Sequence, residues 1–132
     1  ESVAVLTLDD GTLATLQGSR YNGAGYDVRM EIAGTRSTHV VGLDERVPLT
    51  SAESGVEFPT GVPWPNFQER FAAAYAAELE VFLRVARREV ASPCTPRDAS
   101  EALFIAEAAS LSRVEGRPVR VDEVRVDEVR AR

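Results

Sequence analysis

The chain has 132 residues, 44% hydrophobic and 27% charged, a composition typical of one globular domain that can bury a core. A net charge of −6 argues against a nucleic-acid surface, because phosphate binding depends on clustered cations. No stretch approaches the roughly eighteen apolar residues of a membrane span, and no leader pattern opens the chain, so the sequence favours a cytoplasmic protein without membrane contact.

Several residue types that carry common chemistry are missing or single. All 15 cationic residues are Arg, which excludes Schiff-base chemistry and a P-loop lysine. His39 is the one histidine, which excludes multi-histidine metal sites, and it favours a structural role within a strand. Cys94 is the one cysteine and has no partner for an internal disulfide or a zinc site. The sequence therefore predicts no metal site.

The first third of the chain is typical of a β-meander. Apolar runs alternate with turn signals, Asp9-Asp10-Gly11 first, then the glycine-rich stretch from Asn22 to Gly25, then 34–37. The predicted strands are Val3–Leu8, Thr12–Tyr21, Tyr26–Ala33 and Thr38–Leu43.

The third of these strands has a strict two-residue alternation. One face carries Val28, Met30 and Ile32, and the opposite face carries Asp27, Arg29 and Glu31. This pattern is typical of an antiparallel strand with one buried and one wet face. The charged face, with alternating signs, is the candidate interface of a homo-oligomer.

Residues 44–66 contain four prolines, which forbid a helix and predict extended pieces, with short strands near Val47–Leu49 and Val56–Phe58. Trp64 lies between two of these prolines. Its position favours a side chain that fills the junction between sheet and helix over one that contacts a ligand.

Two helices follow, at about 66–90 and 96–115. The first has an apolar stripe with helical spacing, which predicts burial against a sheet: Phe67, Phe71, Tyr75, Leu79, Phe82, Ala86 and Val90. The second begins with Thr95 as N-cap and ends at Gly116. The sequence thus predicts an α+β fold, an open and mainly antiparallel sheet with both helices packed on one face.

The end of the chain reads as a last strand at Val119–Val121 followed by a charged tail over 123–132, where VDEVR is repeated. Gly23-x-Gly25 is not a dinucleotide fingerprint, since the third glycine is missing and the segment joins two strands. No βαβ unit is predicted anywhere.

Four blocks in order resemble the C-terminal domain of Gfo/Idh/MocA-type oxidoreductases, and within them the myo-inositol 2-dehydrogenases. The blocks are Ser19-Arg20, the GYDVRMEIAG segment 25–34, the ERF-x-x-AY-x-x-EL-x-x-F segment 69–82, and Asp98 with 102–112. The resemblance covers about residues 3–122 and implies a 1–122 α+β domain whose sheet commonly makes oligomer contacts. Ala24 and the pair Arg36-Ser37 depart from the inositol dehydrogenase pattern.

In that family a Rossmann domain binds NAD(P), and a catalytic lysine and an Asp-x-x-x-His motif precede the segment matched here. The resemblance therefore implies no catalytic residue and no cofactor site in this chain, with NAD(P) and a sugar or polyol substrate implied for a full-length protein. Tyr26 matches the family's substrate-pocket tyrosine; the alternative is a strand-start tyrosine packed at the sheet edge. A free-standing α+β interaction or small-ligand module is the alternative for the whole chain.

Overall fold

The computed structural model describes residues 1–57 and 61–125, and these contain strands, α-helices and one short 3-10 turn. The strands are β1 Ser2–Thr7, β2 Leu13–Gly18, β3 Met30–Ala33 and β4 Thr38–Val41; the helices are α1 Phe67–Arg70, α2 Ala72–Ala86 and α3 Pro96–Glu115. The α+β class expected from the sequence is confirmed. All strand pairs are antiparallel, as expected.

The strands form two small sheets where one open sheet was expected. β1 pairs with β2 from Ser2↔Gly18 to Thr7↔Leu13, and β3 pairs with β4 from Met30↔Val41 to Ala33↔Thr38. Between the hairpins, the Ser19 hydroxyl accepts a bond from the Tyr21 N–H at 3.1 Å, and the Asn22 side chain accepts one from the Ala24 N–H at 3.1 Å. These local bonds compete with a strand ladder. β2 therefore ends at Gly18, before the predicted Tyr21, and β3 begins at Met30, after the predicted Tyr26.

Both hairpin turns lie where the sequence predicts them, at Asp9-Asp10-Gly11 and at 34–37. In the first, Gly11 has φ 84°, and the Asp10 carboxylate accepts the Thr12 N–H at 2.9 Å. In the second, the Gly34 N–H donates to the Ser37 carbonyl at 3.0 Å. Turn chemistry is local, and for this reason it can be read without knowledge of the tertiary structure.

The first predicted helix is interrupted. Asn66 caps α1 by accepting the Glu69 N–H at 2.9 Å, and Phe71 then leaves helical geometry with φ −109° and ψ 16° before α2 begins. α2 ends at Ala86, four residues before the predicted end, and Arg88 follows with φ 62°. α3 has the predicted bounds, with a Thr95–Asp98 capping box and Gly116 at φ 64°.

The chain divides into two compact units, Glu1–Val81 and Phe82–Arg132. Among the described residues, Val47 is the buried apolar residue of the first unit and Ala108 that of the second. No residue of α2 is buried, and Leu79 and Phe82 are each 64% exposed, so the apolar stripe is not the core helix that was expected. Two short hairpins offer less apolar area than the open sheet on which that expectation depended.

The predicted strand at Val119–Val121 is absent from the described residues, and a 3-10 turn, Val121–Glu123, takes its place. Arg117 forms a salt bridge with Glu123 at 2.8 Å. Arg125 donates two hydrogen bonds to the Glu101 carboxylate on α3, at 2.6 and 2.9 Å. The predicted strand near Val47–Leu49 is likewise not formed. Phe58 of the other short strand and residues 126–132 of the predicted tail lie outside the described residues.

Candidate functional site

The candidate site is built on the loop that leads to Tyr26. Gly25 has φ 144°, and a Cβ atom at this position would lie 2.6 Å from the Cβ of Pro63. The next residue, Tyr26, donates its backbone N–H to the Trp64 carbonyl at 2.7 Å. The loop therefore lies directly against the Pro63–Trp64 segment, and only glycine permits that approach.

The Tyr26 ring is half-buried between two aromatic side chains. Its centroid lies 6.4 Å from that of Phe67, on α1, and 6.1 Å from that of Phe71, with the second ring at 90°. Edge-to-face packing of this kind stabilises one ring orientation. The hydroxyl has no hydrogen-bond partner among the described residues. Tyr26 thus lies before β3 and packs on Phe67 and Phe71, not at a sheet edge.

The side chain of Trp64 has defined contacts, in addition to the hydrogen bond that its backbone carbonyl accepts. The indole Nε1–H donates to Asp44 Oδ2 at 3.0 Å, and the Arg46 guanidinium lies 3.7 Å from the ring centroid. Arg46 also donates from Nε to the Val62 carbonyl at 2.6 Å. The Arg46 guanidinium over the ring face and the hydrogen bond to Asp44 at the ring edge together restrain the orientation of the indole.

Asp44 joins these residues to the helix. Its carboxylate accepts the Arg46 backbone N–H at 2.8 Å and lies 3.6 Å from Arg70 at the end of α1. The indole N–H of Trp64, then the Arg46 N–H, lower the pKa of the Asp44 carboxyl below its ordinary value, since both bonds favour the ionised form. We refer to Asp44, Arg46, Trp64 and Arg70 as the Asp44 cluster.

Sequence reasoning missed the Asp44 cluster. Asp44 and Trp64 are 20 positions apart, and no period or motif relates them. The spacing of Asp44 to Arg46 indicates only a local turn in which an aspartate accepts an N–H two residues on. Trp64 was expected to fill the junction between sheet and helix; its side-chain contacts are with Asp44, Arg46 and Arg70.

A shallow cleft of about 420 Å³ is lined in part by the same loop. Its lining is mainly apolar, and Ala24 is the residue of the loop that contributes to it: Ala24, Val47, Pro48, Leu49, Thr50, Ser51, Val56, Glu57, Gly61 and Pro63. Tyr26 does not belong to this lining. The loop thus places Ala24 and Tyr26 in two different environments, although they are two residues apart.

The three predicted interface residues are only partly on a strand. Glu31 lies in β3, opposite Val40, while Asp27 and Arg29 precede β3. Arg29 Nε bonds Asp27 Oδ2 at 2.9 Å within the chain. The side chains on the other face of the hairpin, Met30 and Ile32, are about half exposed, at 55% and 48%.

Residues 1–57 and 61–125 contain no candidate metal site and no candidate membrane span. No group of three or more His, Cys, Asp or Glu side chains there is arranged to hold a metal ion. No helix in the same part of the chain has the length and apolarity needed to cross a membrane.

Comparison with known proteins identifies the domain type. The model of the C-terminal alpha/beta domain of the Gfo/Idh/MocA oxidoreductase family matches residues 1–121. The chain belongs to this oxidoreductase family. The match spans Tyr26 and the whole Asp44 cluster, and it confirms the resemblance seen in the sequence.

Curated relatives of this Gfo/Idh/MocA domain include inositol dehydrogenases. It is 37% identical to the myo-inositol dehydrogenase Hyg17 of Streptomyces leeuwenhoekii over 119 residues, which are 86% of the chain and 34% of that protein. It is 31% identical to the scyllo-inositol 2-dehydrogenase (NAD(+)) of Bacillus subtilis over 124 residues, 92% of the chain and 35% of that protein.

A third relative, the uncharacterized oxidoreductase YrbE of Bacillus subtilis, is 32% identical over 92% of the chain and 35% of its own length. The chain thus spans about a third of the length of these curated relatives. No solved structure gives a significant match.

Proposed function

We propose that the chain is the substrate-side and oligomerisation domain of an NAD(P)-dependent sugar or polyol dehydrogenase of the inositol dehydrogenase type. The observation that carries this proposal is the half-buried Tyr26, whose ring is held by two aromatic side chains while its hydroxyl has no partner among the described residues. Membership of an oxidoreductase family, with inositol dehydrogenases among the relatives, favours this function over a free-standing interaction module.

The proposed contact suits the chemistry of a polyol. A phenol hydroxyl both donates and accepts, so it can pair with a substrate hydroxyl of either polarity. The ring offers an apolar surface to the C–H face of a sugar ring, and its restrained orientation limits the entropy lost when substrate binds.

The glycine-rich loop at Gly23–Gly25 lacks the features of a nicotinamide cofactor site. The Gly23–Gly25 loop leads into β3 and not into a helix, so no helix N-terminus is presented to a pyrophosphate there. The chain also has no lysine to serve in proton transfer. In the proposed function, cofactor binding and proton transfer belong to residues outside the 1–121 domain.

The proposed oligomer contact uses the β3–β4 hairpin. A two-stranded hairpin with half-exposed Met30 and Ile32 gains stability when a second surface covers it. Arg29 uses Nε for Asp27, which leaves its terminal nitrogens to reach Glu31 of a second copy. Alternating charge in this stretch is self-complementary about a two-fold axis.

The substrate contact is tested with Tyr26→Phe in the complete protein that contains this chain. We expect kcat/KM for NAD-linked oxidation of myo- or scyllo-inositol to fall by about 1–3 kcal/mol, since a substrate hydroxyl is left unpaired. The melting temperature should stay near that of the wild type, because the ring and its packing are retained. Steady-state kinetics and calorimetry give the two measurements.

Tyr21→Phe is the matched control, because Tyr21 is 87% exposed and loses the same hydroxyl. It should leave kcat/KM unchanged. Wild-type kcat/KM in Tyr26→Phe would reject the substrate contact.

A further inference from the structure

We infer that Asp44 is a positioning residue for the reaction, which sets the place of the Tyr26 hydroxyl by holding Trp64 and α1 together. This inference rests on the proposed function of Tyr26. Asp44 itself need not touch substrate, cofactor or a reacting atom.

Asp44 is connected to the backbone of Tyr26 through Trp64. Trp64 accepts the Tyr26 N–H on its carbonyl at 2.7 Å and donates its indole N–H to Asp44 at 3.0 Å. Loss of the Asp44 carboxylate removes the acceptor at the indole edge, so the indole loses one of the two restraints on its orientation. Because the main chain of Trp64 carries the bond to Tyr26, a shift of Trp64 is passed directly to the loop.

Asp44 is connected to the packing of the Tyr26 ring through Arg70 and α1. Arg70 lies 3.6 Å from Asp44 and donates to the Gly42 carbonyl at 3.4 Å. Arg70 is the last residue of α1, the helix that begins at Phe67 and is followed by Phe71. Asp44 therefore contacts the supports of both the backbone and the ring of Tyr26, and these supports come from separate segments of the chain.

We expect Asp44 to affect the position of the Tyr26 hydroxyl more than the free energy of unfolding. The Asp44 side chain is 34% exposed, and ion pairs at such sites contribute little to the free energy of unfolding. Misplacement of a substrate-contacting group by about an ångström, in contrast, lowers turnover by up to about a hundredfold.

The test uses the complete protein with myo-inositol, scyllo-inositol and NAD⁺, and compares Asp44→Ala with Asp44→Asn. We expect kcat/KM to fall about ten- to a hundredfold in Asp44→Ala. Asp44→Asn should recover part of this loss, because its amide oxygen still accepts the indole N–H but no longer attracts Arg70. Trp64→Phe, which removes the donor and keeps the carbonyl, should resemble Asp44→Ala.

Asp10→Ala is the matched control. Asp10 also accepts an N–H two residues on, from Thr12 at 2.9 Å, but it has no long-range partner among the described residues. It should leave kcat/KM unchanged.

A double variant distinguishes positioning from general damage. If Asp44 acts through the Tyr26 hydroxyl, Asp44→Ala should lower kcat/KM much less when Tyr26 is already Phe. Independent, multiplicative losses would overturn the inference. So would wild-type kinetics in Asp44→Ala when Tyr26→Phe is impaired, and that outcome leaves the proposed function standing. Wild-type kinetics in Tyr26→Phe would overturn both.

Discussion

Residues that lie far apart in the sequence decide the geometry around Tyr26. Gly25 permits the close approach to Pro63, and Asp44 receives the indole of Trp64 from 20 positions away. Each of these residues has an unremarkable local context, a glycine in a loop and an aspartate in a turn. Their importance comes from the partner that the fold supplies.

Acid should release Trp64 from Asp44. The lowered pKa of Asp44 means that its bonds contribute fully above the ordinary value of 3.8 and are lost as pH falls through the still lower pKa of the folded state. We expect Trp64 emission to be constant above the ordinary pKa of 3.8 and to move to longer wavelength as the pH falls below it. Trp64 is the one tryptophan of the 132-residue chain, so the emission of this chain by itself reports on Trp64.

Asp44→Asn is the control for this titration, because its side chain does not ionise and the same emission change should be absent. Circular dichroism recorded in parallel separates release of Trp64 from acid unfolding. An identical acid transition in wild type and Asp44→Asn would contradict the assignment.

The helices differ in how well their ends are specified. α3 begins with a reciprocal Thr95–Asp98 capping box and ends at Gly116, which adopts the left-handed conformation without a Cβ clash. α2 ends with the same left-handed geometry at Arg88, φ 62°, and there the Glu89 N–H reaches the Arg84 carbonyl at 2.9 Å. An arginine in this conformation carries steric strain that a glycine does not.

Arg88→Gly should therefore stabilise the chain. Relief of the left-handed strain, less the added entropy of the unfolded glycine, amounts to about 0.5–1 kcal/mol. Urea denaturation followed by helical circular dichroism measures the change.

Arg87→Gly removes the same charge one residue earlier, where φ is not positive, and should destabilise by about 0.5–1 kcal/mol. Equal destabilisation by both substitutions would show that the backbone at Arg88 is not strained.

At the scale of the whole molecule, apolar surface is the dominant feature. Val3 and Leu13 of the first hairpin are 73% and 67% exposed, and Leu79 and Phe82 of α2 are exposed as well. Large apolar side chains exposed in this number are typical of surfaces that contact other protein. This exposure supports the proposal that further protein surface covers parts of the domain, a second copy among them.

Self-association should depend on Arg29. We expect light scattering to show a dimer or larger species at roughly micromolar concentration, and Arg29→Glu to weaken it. The reversed charge would repel Glu31 of the second copy and lose the bond to Asp27.

Arg36→Glu, in the turn between β3 and β4, makes the same change in net charge and should leave association unaltered. A wild-type chain that stays monomeric at about 100 μM would exclude this interface.

Local signals predicted much of the fold. Both hairpin turns, the bounds of α3 and the α+β class follow from glycine positions, a capping pattern and two hydrophobic periods, which act within a few residues. The strand predicted at Tyr26–Ala33 is shorter than expected, because Asp27 bonds Arg29 and Tyr26 bonds Trp64 instead of a neighbouring strand. The break at Phe71 was likewise missed; it occurs at the residue that packs edge-on against Tyr26.

The sequence by itself determined the family, the absence of lysine chemistry and the candidacy of Tyr26, because residue types and motif spacing are properties of the chain alone. Only the tertiary structure decided that the strands form two hairpins, that Tyr26 packs between Phe67 and Phe71, and that Asp44 joins Trp64 to α1. These depend on contacts between distant segments. Such contacts are selected by the free energy of the whole fold, and no local pattern encodes them.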